Sequence, residues 1–303
     1  MDLKDKILYC GVSGGVRLLG LIPFSWHEPL GRILGRTWYR MDKRHRNLAV
    51  NNIRYAYGDS VTEDRAEKLA GKVFENFARM VFEHAWFNRL PRREYHRYFR
   101  VKGLHHLHKA HAKGRGVIGI SAHMGNWELG LAMYHLFGVP FCVVYKPIKN
   151  SGVNRYILEK RTIEGFEMVE KDGASKNVQK MLEKGYAAAL LIDQNTRRKY
   201  GVFIDFFGKK ACTNKNVAKL ALRTSAPVIP LFIHRERGFF VFEILPEVRL
   251  TRTSDPEYDI VENTQKFADI VEHFVRKYPD QWFWVHNRWR TRPGGGKRAG
   301  KQK

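Results

Sequence analysis

From residue 103 onward, short apolar runs alternate with segments of helical periodicity. Strands are predicted at the apolar runs 116–121, 141–145, 187–192, 228–233 and 239–245. Helices are predicted near residues 126–137, 151–165, 175–184, 214–224 and 257–278. Such alternation is typical of a mostly parallel sheet covered by helices, and the run at 239–245 is expected to close that sheet as an antiparallel strand. The pattern therefore predicts an α/β core.

Before residue 103 the apolar positions follow a helical period. One stripe at helical spacing consists of Val73, Phe74, Phe77, Val81 and Phe82. Thr62, followed by acidic residues at 63 and 64, is a typical N-cap for this helix. We interpret the stripe as core packing rather than as a cofactor site. Residues 27–102 are therefore expected to form a helical N-terminal region.

The first residues form an apolar stretch at positions 7–26 that is not a clean membrane span. Arg17 lies in its middle and four glycines interrupt it, whereas a spanning helix needs about 20 mostly apolar residues. No small-residue cleavage site follows the stretch, so a cleaved signal peptide is not favoured. We expect residues 1–26 to be an uncleaved helix that lies in the membrane or marginally crosses it. The alternative is a helix buried in the protein.

Charge indicates the kind of partner. Fifty-four Lys and Arg residues against 30 Asp and Glu give a net charge of +24, which implies an anionic partner: nucleic acid, anionic lipid headgroups or an acidic carrier protein. The three cysteines are far apart and form no C-x-x-C pair, so we expect neither a disulfide framework nor a zinc site. We divide the chain into residues 1–26, 27–102, an α/β core at 103–292 and a flexible basic tail at 293–303.

The most informative polar residues follow the first predicted strand of the core, where parallel sheets gather their sites. The string HMGNWE occupies positions 123–128. His123 and Glu128 can converge only if His123 lies in the turn before a helix, because residues five apart in one helix point about 140° away from each other. Gly125 permits such a turn, and Asn126 is a good N-cap. Glu128 could then accept a hydrogen bond from the imidazole and leave the other ring nitrogen as a base.

Other chemistries have weaker support. Ser121 lacks the second glycine of a nucleophile elbow, and no H-E-x-x-H motif, Walker A loop or G-x-G-x-x-G loop occurs. A histidine cluster is present at His105, His106, His108 and His111. We interpret this cluster as a solvated helix face rather than as a metal site, because no acidic residue converges on it.

HMGNWE resembles the H-x4-D/E block of glycerolipid-type acyltransferases, in the form of the lipid A biosynthesis (lauroyl/myristoyl) acyltransferase family. Similar blocks run from about residue 5 to Pro293. They are the N-terminal helix, RNLAVNNI at 46–53, VYKP at 144–147 with Asn154 and Arg161, DQN at 193–195, FFG at 206–208 with Thr213, and WFWVHNRW at 282–289. Together they make the resemblance specific.

The resemblance implies an O-acyltransferase of glycerolipid acyltransferase-like fold on the cytoplasmic face of a bacterial inner membrane. An acyl-carrier-protein thioester would be the donor, a phosphorylated glucosamine-based lipid the acceptor, and no metal or organic cofactor is implied. His123 would be the general base, Glu128 its orienter, and Arg161 a stabiliser of charge on the thioester carbonyl or a phosphate contact. Asp193 would be a second polar member of the site. Position 195 is Asn where the family often has an acid.

The basic residues are expected to hold two anionic ligands. Those after the third predicted strand suit the phosphates of a glycolipid, namely Arg197, Arg198, Lys209 and Lys210. Those at positions 36–54 suit membrane headgroups or the acidic carrier. A lysophospholipid or a phosphoinositol mannoside remains an alternative acceptor. A nucleic-acid-binding protein is the alternative of a different class, favoured by the charge and by Trp282, Trp284 and Trp289, but no nucleic-acid-binding module is present and we expect no nucleic-acid partner.

Overall fold

The computed structural model describes residues 3–161 and 165–294 of the 303-residue chain. Its α-helices are α1 (Leu3–Leu19), α2 (His27–Met41), α3 (Lys43–Tyr57), α4 (Glu63–Phe87), α5 (Tyr95–Tyr98), α6 (Leu104–His111), α7 (Met133–Phe137), α8 (Ser151–Arg161), α9 (Ala174–Glu183), α10 (Asn216–Thr224) and α11 (Pro256–Lys277). The predicted basic tail lies outside the described residues from position 295 onward.

A seven-stranded mixed sheet forms the core. The strands are β1 (Phe99–Lys102), β2 (Val117–Ser121), β3 (Phe141–Tyr145), β4 (Phe166–Glu170), β5 (Ala187–Leu191), β6 (Gly201–Phe206), β7 (Lys209–Asn214), β8 (Val228–Glu236) and β9 (Phe239–Ile244). The sheet order is β1-β9-β8-β2-β5-β3-β4, and β6 and β7 pair separately as an antiparallel hairpin. Every neighbouring pair in the large sheet is parallel except β8 and β9.

The predicted mostly parallel sheet, its antiparallel strand near 239–245 and the helical N-terminal region are confirmed. Strands β1, β4, β6 and β7 were not predicted, because charged residues interrupt their short apolar runs. β1 pairs with β9, so the sheet begins at Phe99, inside the region expected to be helical. The predicted helix at 126–137 is instead a 3-10 helix over Trp127–Ala132 followed by α7.

Successive strand residues belong to two different hydrophobic clusters, one on each face of the sheet. Ile118 and Ala188 belong to one cluster, while their neighbours Val117 and Ala187 belong to the other. Successive side chains of a strand point to opposite faces, so both faces must be covered, and helices cover them. The core strands therefore read as continuous apolar runs.

The N-terminal helices pack closely on α4. Gly31 and Gly35 let the backbone of α2 approach α4, and a Cβ added to Gly35 would lie 2.4 Å from the Cα of Glu75. Of the predicted core stripe on α4, Val73, Phe74 and Phe82 are buried, but Val81 is 50% exposed. The prediction that Val81 is a core residue was therefore wrong.

Helix α1 packs against α8 rather than standing alone. The Tyr9 hydroxyl donates to Glu159 over 2.6 Å, and Asp5 accepts from Asn150 over 3.2 Å. Among the described residues no single helix has both the length and the apolar character to span a bilayer. The helical segments Asp5–Leu19 and Phe24–Met41 have this length and apolar character only when taken together, and they are bent by 96° relative to each other. Membrane association of residues 1–26 stays a prediction.

A buried carboxylate joins α4 to the sheet. Glu83 is fully buried and accepts from Arg235 of β8 over 2.6 and 2.5 Å, from Asn126 over 2.9 Å, and pairs with Arg79 over 2.7 Å. Burial alone would raise the pKa of Glu83, but the attraction and hydrogen bonds of its partners outweigh burial and hold that pKa below its ordinary value. Glu83 is therefore ionised and compensated.

Replacing Glu83 by Ala is expected to destabilise the protein by about 3–5 kcal/mol, because Arg235 would remain as a buried cation without its carboxylate and Arg79 would keep only its longer contact with the exposed Glu28. The measurement is the free energy of unfolding from a denaturant titration. Glu75→Ala on the same helix is the control, since its partner Arg36 is mostly exposed and such pairs contribute about 0–1 kcal/mol. Equal losses in the two variants would contradict the stabilising role of Glu83.

Candidate functional site

The site lies where β2 and β5 end side by side. The two strands are parallel with Ser121 opposite Leu191. His123 and Asp193 each lie two residues beyond these positions, so the register alone brings them together. Carboxyl ends of parallel strands are the usual place for such side chains. The pairing depends on β2 and β5 being neighbours although β3 and β4 separate them in sequence.

Asp193 holds His123 at two points. The Nδ1 of His123 lies 2.7 Å from one carboxylate oxygen, and the backbone N–H of His123 donates to the other over 3.0 Å. An ionised carboxylate only accepts hydrogen bonds, so Nδ1 carries the proton and Nε2 has the free lone pair. The indole N–H of Trp282 donates to Asp193 over 2.7 Å. These contacts set both the tautomer and the orientation of the imidazole.

In this pair each residue favours the charged form of the other. Burial by itself lowers the pKa of His123, but the charge and hydrogen bond of Asp193 outweigh it and raise that pKa above its ordinary value. Burial by itself raises the pKa of Asp193, but attraction to His123 and hydrogen bonds from His123 and Trp282 hold it below its ordinary value. Asp193 therefore stays ionised at neutral pH, and His123 holds a proton more readily than a free imidazole does.

The loop after β2 (residues 122–126, the β2 loop) is held in place by the segment near the C-terminus (residues 279–292, the C-terminal segment). Gly125 N–H donates to the carbonyl of Gln281 over 2.9 Å, and Phe283 N–H donates to the carbonyl of His123 over 3.0 Å. Gly125 has a φ of +56°, and a Cβ there would lie 2.2 Å from the carbonyl oxygen of Ile233. The β2 loop therefore requires glycine at this position.

The predicted hydrogen bond between His123 and Glu128 is not formed. Glu128 pairs instead with Arg161 at the end of α8. Since Asp193 already occupies Nδ1, the expectation that Glu128 orients the imidazole by direct contact was wrong. Glu128 still lies near enough for its charge to raise the pKa of His123.

Asn126 also has a different contact from the one expected. It precedes the 3-10 helix, as predicted, but its side chain makes no capping hydrogen bond. Its amide donates to the buried Glu83 instead. The β2 loop is therefore connected to two buried carboxylates, Asp193 and Glu83.

Sequence reasoning missed three residues around the pair. Gln194 Nε2 lies 3.3 Å from His123 Nε2, at the nitrogen that is left free to act as a base. Trp282 contacts Asp193, as described above. His286 accepts from the backbone N–H of Asn195 over 3.0 Å, and burial lowers the pKa of His286 to about 4, so it stays neutral. The string DQN and the ending WFWVHNRW contained all three, but only contacts distant in sequence reveal their roles.

A cavity of about 730 Å³ opens at His123, and we call it the deep cavity. One part of its lining is apolar and buried, and includes Leu131, Met133, Phe166, Leu231 and Phe242. The other part is polar and includes Lys146, Lys171, Asn195, Asn214 and Asn216. Arg161 and Glu128 also line it. The site therefore combines a base, a cationic rim and room for a hydrocarbon chain.

The four basic residues expected to gather phosphates do not line this cavity. Lys210 pairs with Asp205 over 3.0 Å, and Lys209 lies over the ring of Tyr55. The Arg198 guanidinium donates to the carbonyl of Arg292. Arg197 is exposed. Within the described residues the cations at the cavity are Arg161, Lys146 and Lys171 instead.

The histidine cluster of α6 is partly structural. His108 and His111 contact the carbonyls of Phe137 and Gly185, each at 2.7 Å. These contacts fasten α6 to neighbouring elements, so the two side chains are not simply solvated as expected. Over residues 3–161 and 165–294 no group of three or more His, Cys, Asp or Glu side chains is arranged to hold a metal ion.

Comparison with known proteins points to one family. The family model described as bacterial lipid A biosynthesis acyltransferase matches residues 4–291. A lipid A biosynthesis acyltransferase of Haemophilus influenzae is 27% identical over 295 residues, covering 96% of this chain and 91% of the relative. The lipid A biosynthesis lauroyltransferase of Escherichia coli is 26% identical, with 93% and 92% coverage. A phosphatidylinositol mannoside acyltransferase of Mycolicibacterium smegmatis is 27% identical over 194 residues, 62% of each chain.

Replacing Asp193 by Asn is expected to lower the pKa of His123, because the raising effect of the carboxylate is lost while burial continues to lower it. The measurement is an NMR titration of the imidazole, assigned by comparison with His123→Ala. Glu128→Gln is the matched control and should change the pKa less, since Glu128 acts on His123 without a hydrogen bond. An unchanged titration in Asp193→Asn would refute the assignment of Asp193 as the partner of His123.

Proposed function

The chain belongs to the bacterial lipid A biosynthesis acyltransferase family, and on that basis we propose that it esterifies a hydroxyl of a lipid A precursor with an acyl group taken from an acyl-carrier-protein thioester. The observation that carries the proposal is the His123–Asp193 pair at the mouth of the deep cavity. The pair supplies a base, and the apolar lining supplies room for the acyl chain. The two relatives described above that align over more than 90% of this chain are named for lipid A biosynthesis.

The reaction needs only a base and a place for negative charge, because a thioester is already activated. The acceptor hydroxyl attacks the thioester carbonyl carbon, and His123 Nε2 takes the hydroxyl proton. The tetrahedral intermediate then collapses, the C–S bond breaks, and the imidazolium returns its proton to the leaving thiolate. The products are an ester and the free thiol of the carrier. The acceptor hydroxyl must first displace Gln194 from Nε2.

Asp193 is proposed as the orienter of the base in place of Glu128. A carboxylate that holds Nδ1–H fixes the productive tautomer and stabilises the imidazolium formed during proton transfer. Asp193 has this geometry, whereas Glu128 contacts Arg161. We therefore assign Glu128 the role of positioning Arg161, and Arg161 the role of stabilising charge that develops on the thioester carbonyl.

The acyl chain of the donor is proposed to occupy the apolar part of the deep cavity. Leu131 and Phe242 there are only 3% and 1% exposed, so a chain bound against them would be shielded from water. Burial of each methylene stabilises binding by about 0.8 kcal/mol, which favours a long chain. Lys146 and Lys171 at the other side of the cavity suit phosphate groups of the donor or the acceptor.

The enzyme is proposed to work at the cytoplasmic face of the inner membrane. The net charge of +24 supports attraction both to an anionic lipid surface and to an acidic carrier protein. The exposed cations of α2 and of the first turn of α3 are Arg32, Arg36, Arg40, Lys43 and Arg44. They lie beside the exposed apolar side chains of α2, the combination typical of a helix in the membrane interface.

The rival functions have less support. The phosphatidylinositol mannoside acyltransferases match 62% of the chain, against more than 90% for the lipid A relatives above, so we favour a lipid A precursor as acceptor. The tryptophans that suggested nucleic-acid binding, Trp282, Trp284 and Trp289, are buried in the core. Buried rings are not available for stacking on bases, so of the two features that favoured that alternative only the net charge remains.

His123→Ala is expected to lower kcat by about 10²–10⁴-fold, the usual contribution of a general base, while the protein stays folded. The assay measures transfer of a labelled acyl group from acyl carrier protein to a lipid A precursor. Lys210→Ala, whose partner Asp205 lies outside the cavity, is the control and should keep wild-type turnover. Mass spectrometry of lipids from a deletion strain should show a lipid A species lacking one acyl chain. Wild-type turnover by His123→Ala would end the proposal.

Arg161→Ala is expected to lower kcat with little change in the KM of the acceptor, because charge on the thioester carbonyl develops only in the transition state. Arg161→Lys should restore part of the activity, since a point charge cannot reproduce a bidentate guanidinium. Steady-state kinetics at saturating donor measure both effects. Arg155→Ala on the same helix is the control, because Arg155 pairs with Glu159 on an exposed surface. A change confined to KM would move the charge-stabilising role to another residue.

A further inference from the structure

A second groove, apolar in character, runs between α2 and α4, and we call it the α2–α4 groove. Its volume is about 510 Å³. Its lining consists of Leu34, Trp38, Phe77, Ala78, Met80, Val81, His84, Trp127, Glu128 and Phe283. All but His84 and Glu128 are apolar or aromatic. Burial lowers the pKa of His84, which keeps it neutral, and Glu128 is neutralised by Arg161. The groove therefore suits a hydrocarbon chain and not a charged headgroup.

The inner end of the α2–α4 groove reaches the reacting centre. Trp127 and Glu128 line both this groove and the deep cavity. The ring of Trp127 lies 5.2 Å from the imidazole of His123, and Phe283 lies 6.4 Å from it, measured between ring centroids. A molecule in the groove and a molecule in the cavity would thus meet at His123.

The outer end of the groove opens on an exposed apolar surface. Leu34 and Val81 line the groove yet are 44% and 50% exposed. Beyond them α2 and the turn before it expose Ile33, Met41 and Trp26. The exposed cations of α2 lie among these side chains. Charge and apolar surface together fit an anionic bilayer, and that bilayer would cover the open side of the groove.

We propose that the α2–α4 groove holds a hydrocarbon chain of the lipid acceptor, which enters sideways from the bilayer. The inference rests on the proposed function, because it assigns the acceptor of that reaction. The donor's chain arrives on a water-soluble carrier and needs the closed lining of the deep cavity, where Leu131 and Phe242 are buried. A chain in the α2–α4 groove stays half-exposed unless a membrane covers it. Only a ligand that already lies in the membrane meets that condition.

The test compares Leu34→Asp and Val81→Asp with Ile33→Asp. Ile33 neighbours Leu34 on α2 and is 65% exposed, but it does not line the groove. All three changes place a carboxylate on the same surface, so any general weakening of membrane contact should be shared. Steady-state kinetics in mixed micelles give the KM of the lipid A precursor and the KM of acyl carrier protein thioester separately.

The groove variants are expected to raise the acceptor KM by about tenfold or more, because a carboxylate replaces apolar contact with the chain. Their donor KM and kcat should stay near wild type, and Ile33→Asp should raise the acceptor KM much less than they do, because Ile33 does not line the groove. An equal rise in Ile33→Asp would show that the surface merely contacts the membrane. A rise in the donor KM would show that the groove holds the donor's chain. Either result overturns the proposal.

A second arm separates the proposal from the function on which it rests. His123→Ala protein is irradiated with a lipid A precursor that carries a photoreactive group on an acyl chain, and the cross-linked peptides are identified by mass spectrometry. Cross-links to α2 and to the Phe77–His84 side of α4 support the groove, even if the wild-type protein transfers no acyl group to this acceptor. Cross-links to the apolar lining of the deep cavity, or none, overturn it. Absence of transfer by wild type would overturn the proposed function alone.

Discussion

The ionised carboxylate of Asp193, only 2% exposed, is the constraint on which the site depends. A buried charge is tolerated only when hydrogen bonds and an opposite charge compensate for lost hydration. Three donors do this: the imidazole and backbone N–H of His123, and the indole of Trp282. These three donors depend on two separate features of the fold. The β2–β5 register supplies His123, and the path of the C-terminal segment supplies Trp282.

The β2 loop is therefore held from both sides by buried acids. Asp193 holds its beginning through His123, and Glu83 holds its end through Asn126. Glu83 in turn is tied to Arg235 of β8, next to β2 in the sheet. Preorganisation of this kind lowers the cost of orienting a base at the moment of reaction. The helical N-terminal region, which carries Glu83, therefore helps to hold the β2 loop in place.

Much of the core could be predicted from sequence because parallel strands buried on both faces leave continuous apolar runs. His123 and the presence of Asp193 in the site were predicted for the same reason, since both follow such runs. The partner of His123 was not, because local spacing favours Glu128 and says nothing of which strands are neighbours. The exposure of Val81 could not be predicted either. Its spacing is that of a core residue, but it lines the α2–α4 groove and stays in contact with solvent.

The position of the C-terminal segment has a consequence for the order in which the site forms during synthesis of the chain. The ribosome makes the sheet, His123 and Asp193 long before it makes Gln281, Trp282 and Phe283. Until those last residues emerge, the β2 loop lacks its backbone partners and the Asp193 carboxylate lacks the indole. A nascent chain can thus have most of its fold in place while the imidazole of His123 is still poorly held. The contacts that hold the site are therefore completed only when translation of the polypeptide is nearly finished.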